Sequence, residues 1–170
     1  MPESMIVSFA ILKSACAKAN LHFNKITQEQ CEHIIEVCKE IEEKKHMDQF
    51  PLKVWQTGSG TQTNMNVNEV ISMMANERAE KNLCHPNDTV NCSQSSNDTF
   101  PAALHIMIAK KILEDLIPEL DEIIETSKAE EEIKESSKSD DTHLQDATPL
   151  YFSQELSGYL QWSNIVKIKS

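Results

Sequence analysis

Three separated stretches of this chain gather neutral hydrogen-bond donors of the kind that hold a small anion. In the first, Trp55-Gln56-Thr57-Gly58-Ser59-Gly60-Thr61-Gln62-Thr63-Asn64-Met65-Asn66, hydroxyls and amides crowd around two glycines. Gly-Ser-Gly lets the backbone turn sharply and present consecutive N–H groups, a geometry that cradles an anion. Ser59 and Thr61 are then placed to donate to a carboxylate, and the N-terminus of the helix that follows adds a favourable dipole. The GxxxxGK[ST] pattern of a phosphate loop is absent. In the second stretch, His85-Pro86-Asn87-Asp88 is followed by Asn91 and by Ser93-Gln94-Ser95-Ser96-Asn97-Asp98. Ser95, Ser96 or Asn97 can cap the helix that begins there and bind a carboxylate through the same N-terminal groups. His85 stands equally as an anion contact or a solvated side chain. The third stretch is Thr142-His143-Leu144-Gln145-Asp146-Ala147-Thr148-Pro149. A neutral imidazole at His143 can take a proton from water or return one to a departing hydroxyl; the competing reading is a surface or cap histidine.

Other chemistries find less support. HExxH, a Cys/His ligand spacing and a GxSxG elbow are all missing, so metal-assisted and serine-hydrolase chemistry are not expected. No cofactor is implied. His22, His33, His46 and His105 read as structural or solvated. Cys16, Cys31, Cys38, Cys84 and Cys92 are odd in number and lack CxxC spacing, the pattern of reduced, mostly buried thiols. The 170 residues carry 16 basic and 27 acidic side chains, a net charge of -11 that argues against nucleic acid as a partner. No apolar run reaches the roughly 18 to 20 residues of a spanning helix, so no membrane partner is expected. The opening MPESMIVSFAILKSACAKAN has a Glu ahead of its apolar stretch and no basic region, unlike a presequence. A cytoplasmic location is the default expectation, and a mitochondrial one follows if a presequence has been lost.

The elements that must position these stretches read as helices. Three glycines in the whole chain leave almost everything else free to be helical. A first helix over residues 5–20 has Ile6, Phe9, Ile11, Leu12 and Ala15 too dense for one stripe, so it should be buried on more than one side. A second follows Thr27, whose spacing to Gln30 fits a capping box, and presents Cys31, Ile34, Ile35, Cys38 and Ile41 on one face. Val67, Val70, Ile71 and Met74 suggest a third, shorter helix capped by Asn66 or Asn68. The longest begins after Asn97, Asp98 and Thr99, with Pro101 in its first turn. Its apolar positions Leu104, Ile108, Ile112, Leu116, Leu120 and Ile124 recur every four residues over about 25 residues, or about 40 Å. Pro118 should bend this helix without ending it. Such a wide stripe calls for neighbours of equal length, from other subunits or from further chain. Residues 126–141 lack apolar anchors and read as a solvated helix end and a loop; 148–170 regain helical character. No period-two strand and no internal repeat is evident.

Taken in order and at their spacing, VWQTGSGTQTNMNVNEVI (Val54 to Ile71), HPNDTVNCSQSSNDTFPAALHI (His85 to Ile106) and THLQDATPL (Thr142 to Leu150) resemble the motifs of class II fumarate hydratase, in the fumarase/aspartase superfamily. Gln62 after Thr61, and Ser96 in SQSSND, match fumarases, where the superfamily's aspartases usually have Ser-Thr and Thr. The resemblance covers residues 5 to 162, the opening part of the usual, much longer protein. It implies a mostly α fold: a small N-terminal helical domain (residues 1–98) leading into the first long helices of a central helical bundle (residues 99–170). It also implies a homotetramer whose sites are built from several subunits, and a reversible anti hydration of fumarate to L-malate in the tricarboxylic acid cycle, without metal or organic cofactor.

By the same resemblance, Ser59, Gly60, Thr61, Ser95, Ser96, Asn97 and Thr142 would hold the substrate carboxylates. His143 would be the proton donor and acceptor, acting through the water that is added or removed. His85, Pro86, Asn87 and Asp88 would line the family's second, non-catalytic dicarboxylate site. This chain departs from the pattern at Asp140-Asp141, which stand where the family has Gly-Arg before Thr-His. The family's N-terminal Gly-Gln-Thr-Arg segment and its later Gly-Ser-Ser loop, with the serine base, lysine and asparagine, fall outside the match. By itself, then, the chain is expected to be inactive. The alternatives are a non-catalytic, truncated fumarase-like helical protein or an assembly partner of full-length fumarase subunits, and an aspartase-type ammonia lyase, which Gln62 and Ser96 disfavour.

Overall fold

Helix α1 (Glu3–His22) starts from Pro2, whose carbonyl accepts the Met5 N–H at 3.0 Å, and stops where Asn24 adopts a left-handed backbone (φ 54°). A short polar side chain tolerates that conformation, so asparagine ends the helix without glycine. The computed structural model describes residues 1–130 and 137–169. As its density of apolar residues required, α1 is buried around much of its circumference: Met5, Ile6, Phe9, Ala10 and Ala17 are in the core, and so are Ser8, Lys13, Ser14 and Asn20. Helix α2 (Gln28–Glu42) carries the expected capping box. The Gln30 N–H donates to Thr27 Oγ1 at 3.2 Å and the Thr27 N–H donates to Gln30 Oε1 at 2.9 Å. One face of α2, with Cys31, Ile34, Val37, Cys38 and Ile41, is buried, while the opposite face is solvated. Lys44 (φ 60°) ends it, and the Lys45 N–H returns to the Glu40 carbonyl at 2.9 Å.

Helix α3 (Ser59–Ala79) corrects one expectation. It is long, not short, and starts from Gly58 (φ 67°) rather than from an asparagine cap; Asn66 and Asn68 lie inside it. Its first half escaped the apolar pattern because Thr63, Asn64 and Asn68 occupy buried positions as polar groups. Past its left-handed terminator Glu80 (φ 50°), Asn76 secures the return of the chain. Asn76 Oδ1 accepts the N–H groups of Leu83 (2.8 Å) and Cys84 (2.7 Å), and its amide donates to the Cys84 carbonyl at 2.9 Å. A salt link from Arg78 to Glu40 ties α3 to α2.

Helix α4 (Ser96–Lys111) is followed directly by a π-helical turn at Ile112–Leu116 and by α5 (Ile117–Glu130). Pro118 explains the turn. It cannot donate to the carbonyl four residues back, and a wider helical turn absorbs the missing bond without ending the helical path. The chain divides into two compact units, Met1–Ile108 and Ala109–Ser170. The first unit extends into α4 because Phe100, Ala103, Leu104 and Met107 pack onto its core.

In the second unit a β-hairpin stands where a loop was expected. Strand β1 (Ser137–Thr142) pairs antiparallel with β2 (Gln145–Tyr151), with a register irregularity between Ser139 and Asp141. Residues 126–130 belong to α5, and the remainder of the expected loop, 131–136, lies outside the described residues. Residues 148–151, expected to be helical, are strand, and helix α6 spans Phe152–Lys169. A two-stranded ribbon buries neither face, so it leaves no alternation of apolar and polar residues to read. Lys138 pairs with Glu155, and Lys167 with Asp121, tying β1 to α6 and α6 to α5. Among the described residues no helix is long and apolar enough to cross a membrane.

Candidate functional site

Two helix N-termini meet in the first unit. Gly58, in its left-handed conformation, turns the chain so that Ser59, Gly60 and Thr61 form the first turn of α3, where N–H groups have no intrahelical acceptor. Ser95 caps α4: its hydroxyl accepts the Asn97 N–H at 3.3 Å, and its carbonyl accepts those of Asp98 (3.1 Å) and Thr99 (2.9 Å). Of the three cap candidates, Ser95 holds the position, and Ser96 and Asn97 form the first helical turn. The hydroxyls of Thr61 and Ser96 lie 2.9 Å apart. An open groove of ≈ 430 Å³ runs between the two turns, lined by Gly58, Gly60, Thr61, Ser96, Asn97, Phe100 and Pro101. Gly60 permits this approach. A Cβ at that position would stand 3.2 Å from Phe100 Cγ, closer than ordinary carbon contact.

Electrostatically the groove suits an anion. Both helices direct the positive ends of their dipoles at it, and the polar side chains lining it are hydroxyls and an amide, which donate without adding titratable charge; Asp98, in the first turn of α4 but outside the lining, offsets part of that helix's dipole. A dicarboxylate entering it would replace the Thr61–Ser96 hydrogen bond with charge-assisted ones.

Behind the groove lies a buried polar network. Thr99 Oγ1 donates to Asn64 Oδ1 at 3.0 Å, linking the first turn of α4 to the second turn of α3. Asn64 Nδ2 donates to Asn91 Oδ1 at 3.1 Å. The Lys13 ammonium donates to that same Asn91 oxygen at 3.0 Å and to Gln94 Oε1 at 2.9 Å. Gln94 in turn donates to the Val90 carbonyl (2.9 Å), and Asn91 to the Gln94 carbonyl (3.2 Å). Lys13 is 1% exposed, and burial pulls its pKa from an ordinary 10.5 down to about 8, against a weaker opposing influence of the Cys16 and Cys38 thiols. The sequence carried a signal for this lysine: position 13 falls on the helical stripe of Ile6, Phe9, Ala10 and Ala17, where a charge has no solvent.

His85, Pro86, Asn87 and Asp88 form one turn, as their sequence adjacency required. His85 Nδ1 accepts the N–H groups of Asn87 (3.3 Å) and Asp88 (3.2 Å), capping the π-helical turn Pro86–Val90. The same Nδ1 lies 3.2 Å from Asp88 Oδ2, and the ring is exposed. This turn is separate from the groove lining. His143 sits at the tip of the hairpin, in the second unit; His143 (φ 56°) and Leu144 (φ 62°) are both left-handed, closed by the Thr142–Gln145 pair. That is the twist a two-residue hairpin turn demands. The imidazole is exposed. Gly60, Thr61, Ser96 and Asn97 are thus brought together within one unit, while Thr142 and His143 belong to the other.

The five cysteines are free; Cys31, Cys38 and Cys84 are buried, and burial raises the pKa of all three, that of Cys84 to about 11. Among the described residues no group of three or more His, Cys, Asp or Glu side chains could hold a metal ion.

A family model described as "Lyase" matches residues 1–164. The chain belongs to the lyase family. This lyase-family chain is 50% identical over 169 residues to a fumarate hydratase class II of Campylobacter jejuni and 48% identical over 165 residues to that of Helicobacter pylori. Each match covers 94% of this chain and 36% of the relative, so the chain spans about a third of the length of the curated relatives it matches. Among solved structures, the class II fumarase of Schistosoma mansoni superposes with a TM-score of 0.86 at 39% identity, over 96% of this chain and 36% of that one. The mostly α, fumarase/aspartase-like fold is therefore established for this lyase-family chain.

Proposed function

We propose that this chain is the carboxylate-clamping part of a class II fumarate hydratase, which hydrates fumarate reversibly to L-malate. The observation that carries the reading is the meeting of two helix N-termini at the Thr61–Ser96 hydroxyl pair, built from the two motifs that match that family. Ser59, Gly60 and Thr61 would take one part of the dicarboxylate and Ser95, Ser96 and Asn97 the other, fixing which carbon faces the proton-transfer groups. Loss of a proton beside a carboxylate builds a dianionic aci-carboxylate. Fixed neutral donors stabilise that charge as it develops, without reorganising. His143 would relay a proton through the added or departing water, with Thr142 beside it, both contributed by another copy in a homotetramer. The His85–Asp88 turn would hold a second dicarboxylate. The serine base and the lysine belong, by resemblance, to the length of the relatives that this chain does not span, so the 170 residues by themselves are expected to bind without turnover.

The test is titration of the ¹⁵N-labelled chain with fumarate and L-malate. Amide shifts concentrated at Gly60, Thr61, Ser96 and Asn97 are expected; saturating fumarate that leaves all four unmoved refutes the clamp. Loss of fumarate absorbance above buffer would overturn the expectation of inactivity, and ammonia release from aspartate would favour the aspartase-type reading. A second reading, assembly with itself or with full-length fumarase subunits, is favoured by apolar side chains that solvent reaches in this chain: Leu113 and Ile123 on the α5 side, Tyr159, Trp162 and Ile168 on α6. Native mass of the chain, by itself and mixed with intact enzyme, decides it; unchanged masses dismiss the partner role. A cytoplasmic or mitochondrial site of action is open to imaging of the tagged protein.

A further inference from the structure

We propose that Lys13 is a positioning residue for the α4 half of the clamp: its buried ammonium holds the side-chain oxygens of Asn91 and Gln94, and through them sets the loop that presents Ser95, Ser96 and Asn97 to an anion. The inference rests on the dicarboxylate reading of the groove but depends on different atoms. Lys13 belongs to α1, remote in sequence from both clamp motifs, and both of its hydrogen-bond partners lie in the five residues ahead of Ser96. One of them, Asn91, also receives Asn64, which receives Thr99 in the first turn of α4. A single cation therefore ties α1, the loop before α4, α3 and α4 into one network directly behind the groove.

Both acceptors are neutral amides. A buried ammonium answered by amides alone is a costly way to brace a loop, since a neutral donor would avoid the desolvation. What the charge adds is orientation: it fixes both carboxamides with their oxygens inward, and it lends the groove a positive field without placing a flexible cation inside it. The titratable groups facing it are Cys16, on its own helix, and Cys38, on α2; burial raises both thiols, so they stay neutral where Lys13 loses its proton. Deprotonation at about pH 8 should loosen the loop while the rest of the unit is unaltered.

The experiment follows amide shifts of residues 91–99 and the Lys13 Cε resonance in the labelled 170-residue chain from pH 6.5 to 9.5, then repeats the fumarate titration with Lys13→Met and Lys13→Arg. The expected result is that the loop amides move with Lys13 Cε, that the movement vanishes in K13M, and that K13M weakens fumarate binding at pH 7 at least about tenfold, as expected for losing a hydrogen bond to a charged group. K13R should recover most of it. The proposal is overturned if loop amides stay fixed while Lys13 titrates, or if a folded K13M binds fumarate as the native chain does. Should K13M fail to fold, the pH series on the native chain decides alone. Loop amides that follow Lys13 in a chain that binds no fumarate would retain the positioning role and discard the dicarboxylate reading.

Discussion

Lys13 makes a prediction about stability whose sign is unusual for alkaline conditions. In the folded chain its proton leaves at about pH 8, and in the unfolded chain near 10.5. Below both values Lys13 is charged in either state and its burial is a constant penalty. Between them the unfolded chain holds the extra proton, so stability must rise with pH. Each tenfold separation in proton affinity is worth about 1.4 kcal/mol, so the full effect is about 3 kcal/mol, of which about 2 kcal/mol develops between pH 7 and 9.5. The thiols oppose it. Cys38 and Cys84 have raised pKa values in the fold and ordinary ones, near 9, when unfolded, so they lower stability as pH climbs past 9. Comparison with K13M removes that background, since both proteins carry the same cysteines. Urea unfolding of each protein at pH 7, 8, 9 and 9.5 should give a stability difference, native minus K13M, that grows by about 2 kcal/mol across the series. A difference that stays level would mean that the ammonium is not buried in the folded chain, and the network behind the groove would have to be redrawn.

Thr27→Ala removes the Thr27 Oγ1 acceptor of the Gln30 N–H, while the backbone N–H that donates to Gln30 Oε1 remains; it should cost about 1 kcal/mol in urea unfolding and leave the fumarate-induced shifts of Gly60 and Ser96 as they are. Gly60→Ala sets a methyl group 3.2 Å from Phe100 Cγ and should destabilise by about 1 kcal/mol, partly offset by roughly 0.5 kcal/mol of helix preference. Phe100→Leu in the same chain should relieve the crowding, and a double-mutant cycle without coupling would contradict the close approach. Replacing Asp140 by Gly and Asp141 by Arg restores the family pattern; if a like charge at about 6 Å costs on the order of 3 kcal/mol at an effective dielectric near 20, fumarate affinity should rise at least tenfold, and an unchanged affinity would place these residues away from the bound dicarboxylate.

What the amino-acid sequence disclosed, and what it concealed, divides along burial. The capping box at Thr27 and Gln30, the buried face of α2 and the density of α1 were legible because local hydrogen bonding and apolar spacing act over a few residues. Helix α3 was read too short because Thr63, Asn64 and Asn68 are polar yet buried, and only the tertiary network that satisfies Asn64 makes those positions interior. The hairpin around His143 was invisible because neither face of a two-stranded ribbon is buried, and because its turn uses His143 and Leu144 in left-handed conformations where an Asn-Gly pair would have announced it. Gly60, Thr61, Ser96 and Asn97 were readable as members of donor-rich stretches. Their meeting was not, since the Thr61–Ser96 contact spans 35 residues and depends on Gly60 lying against Phe100.

The cost of this arrangement is concentrated in one place. Bringing the positive ends of α3 and α4 together opposes two partial charges of about half a unit each, a repulsion on the order of 0.5 kcal/mol at about 7 Å in a surface-like dielectric. Burying Lys13 adds a larger penalty of the same sign, and Gly60 gives up helix preference to permit the contact. Surface ion pairs such as Arg78–Glu40 compensate weakly. The first unit therefore draws on the ordinary apolar packing of α1, α2 and α3 to bear these costs, with Asp98 in the first turn of α4 offsetting part of that helix's positive end. A dianion in the groove reverses both unfavourable terms at once, since it is attracted by each helix terminus and by the ammonium behind them. A fold that served only as a scaffold would gain nothing from two like poles sharing a hydroxyl pair, and that asymmetry is what favours the proposed dicarboxylate reading of the groove.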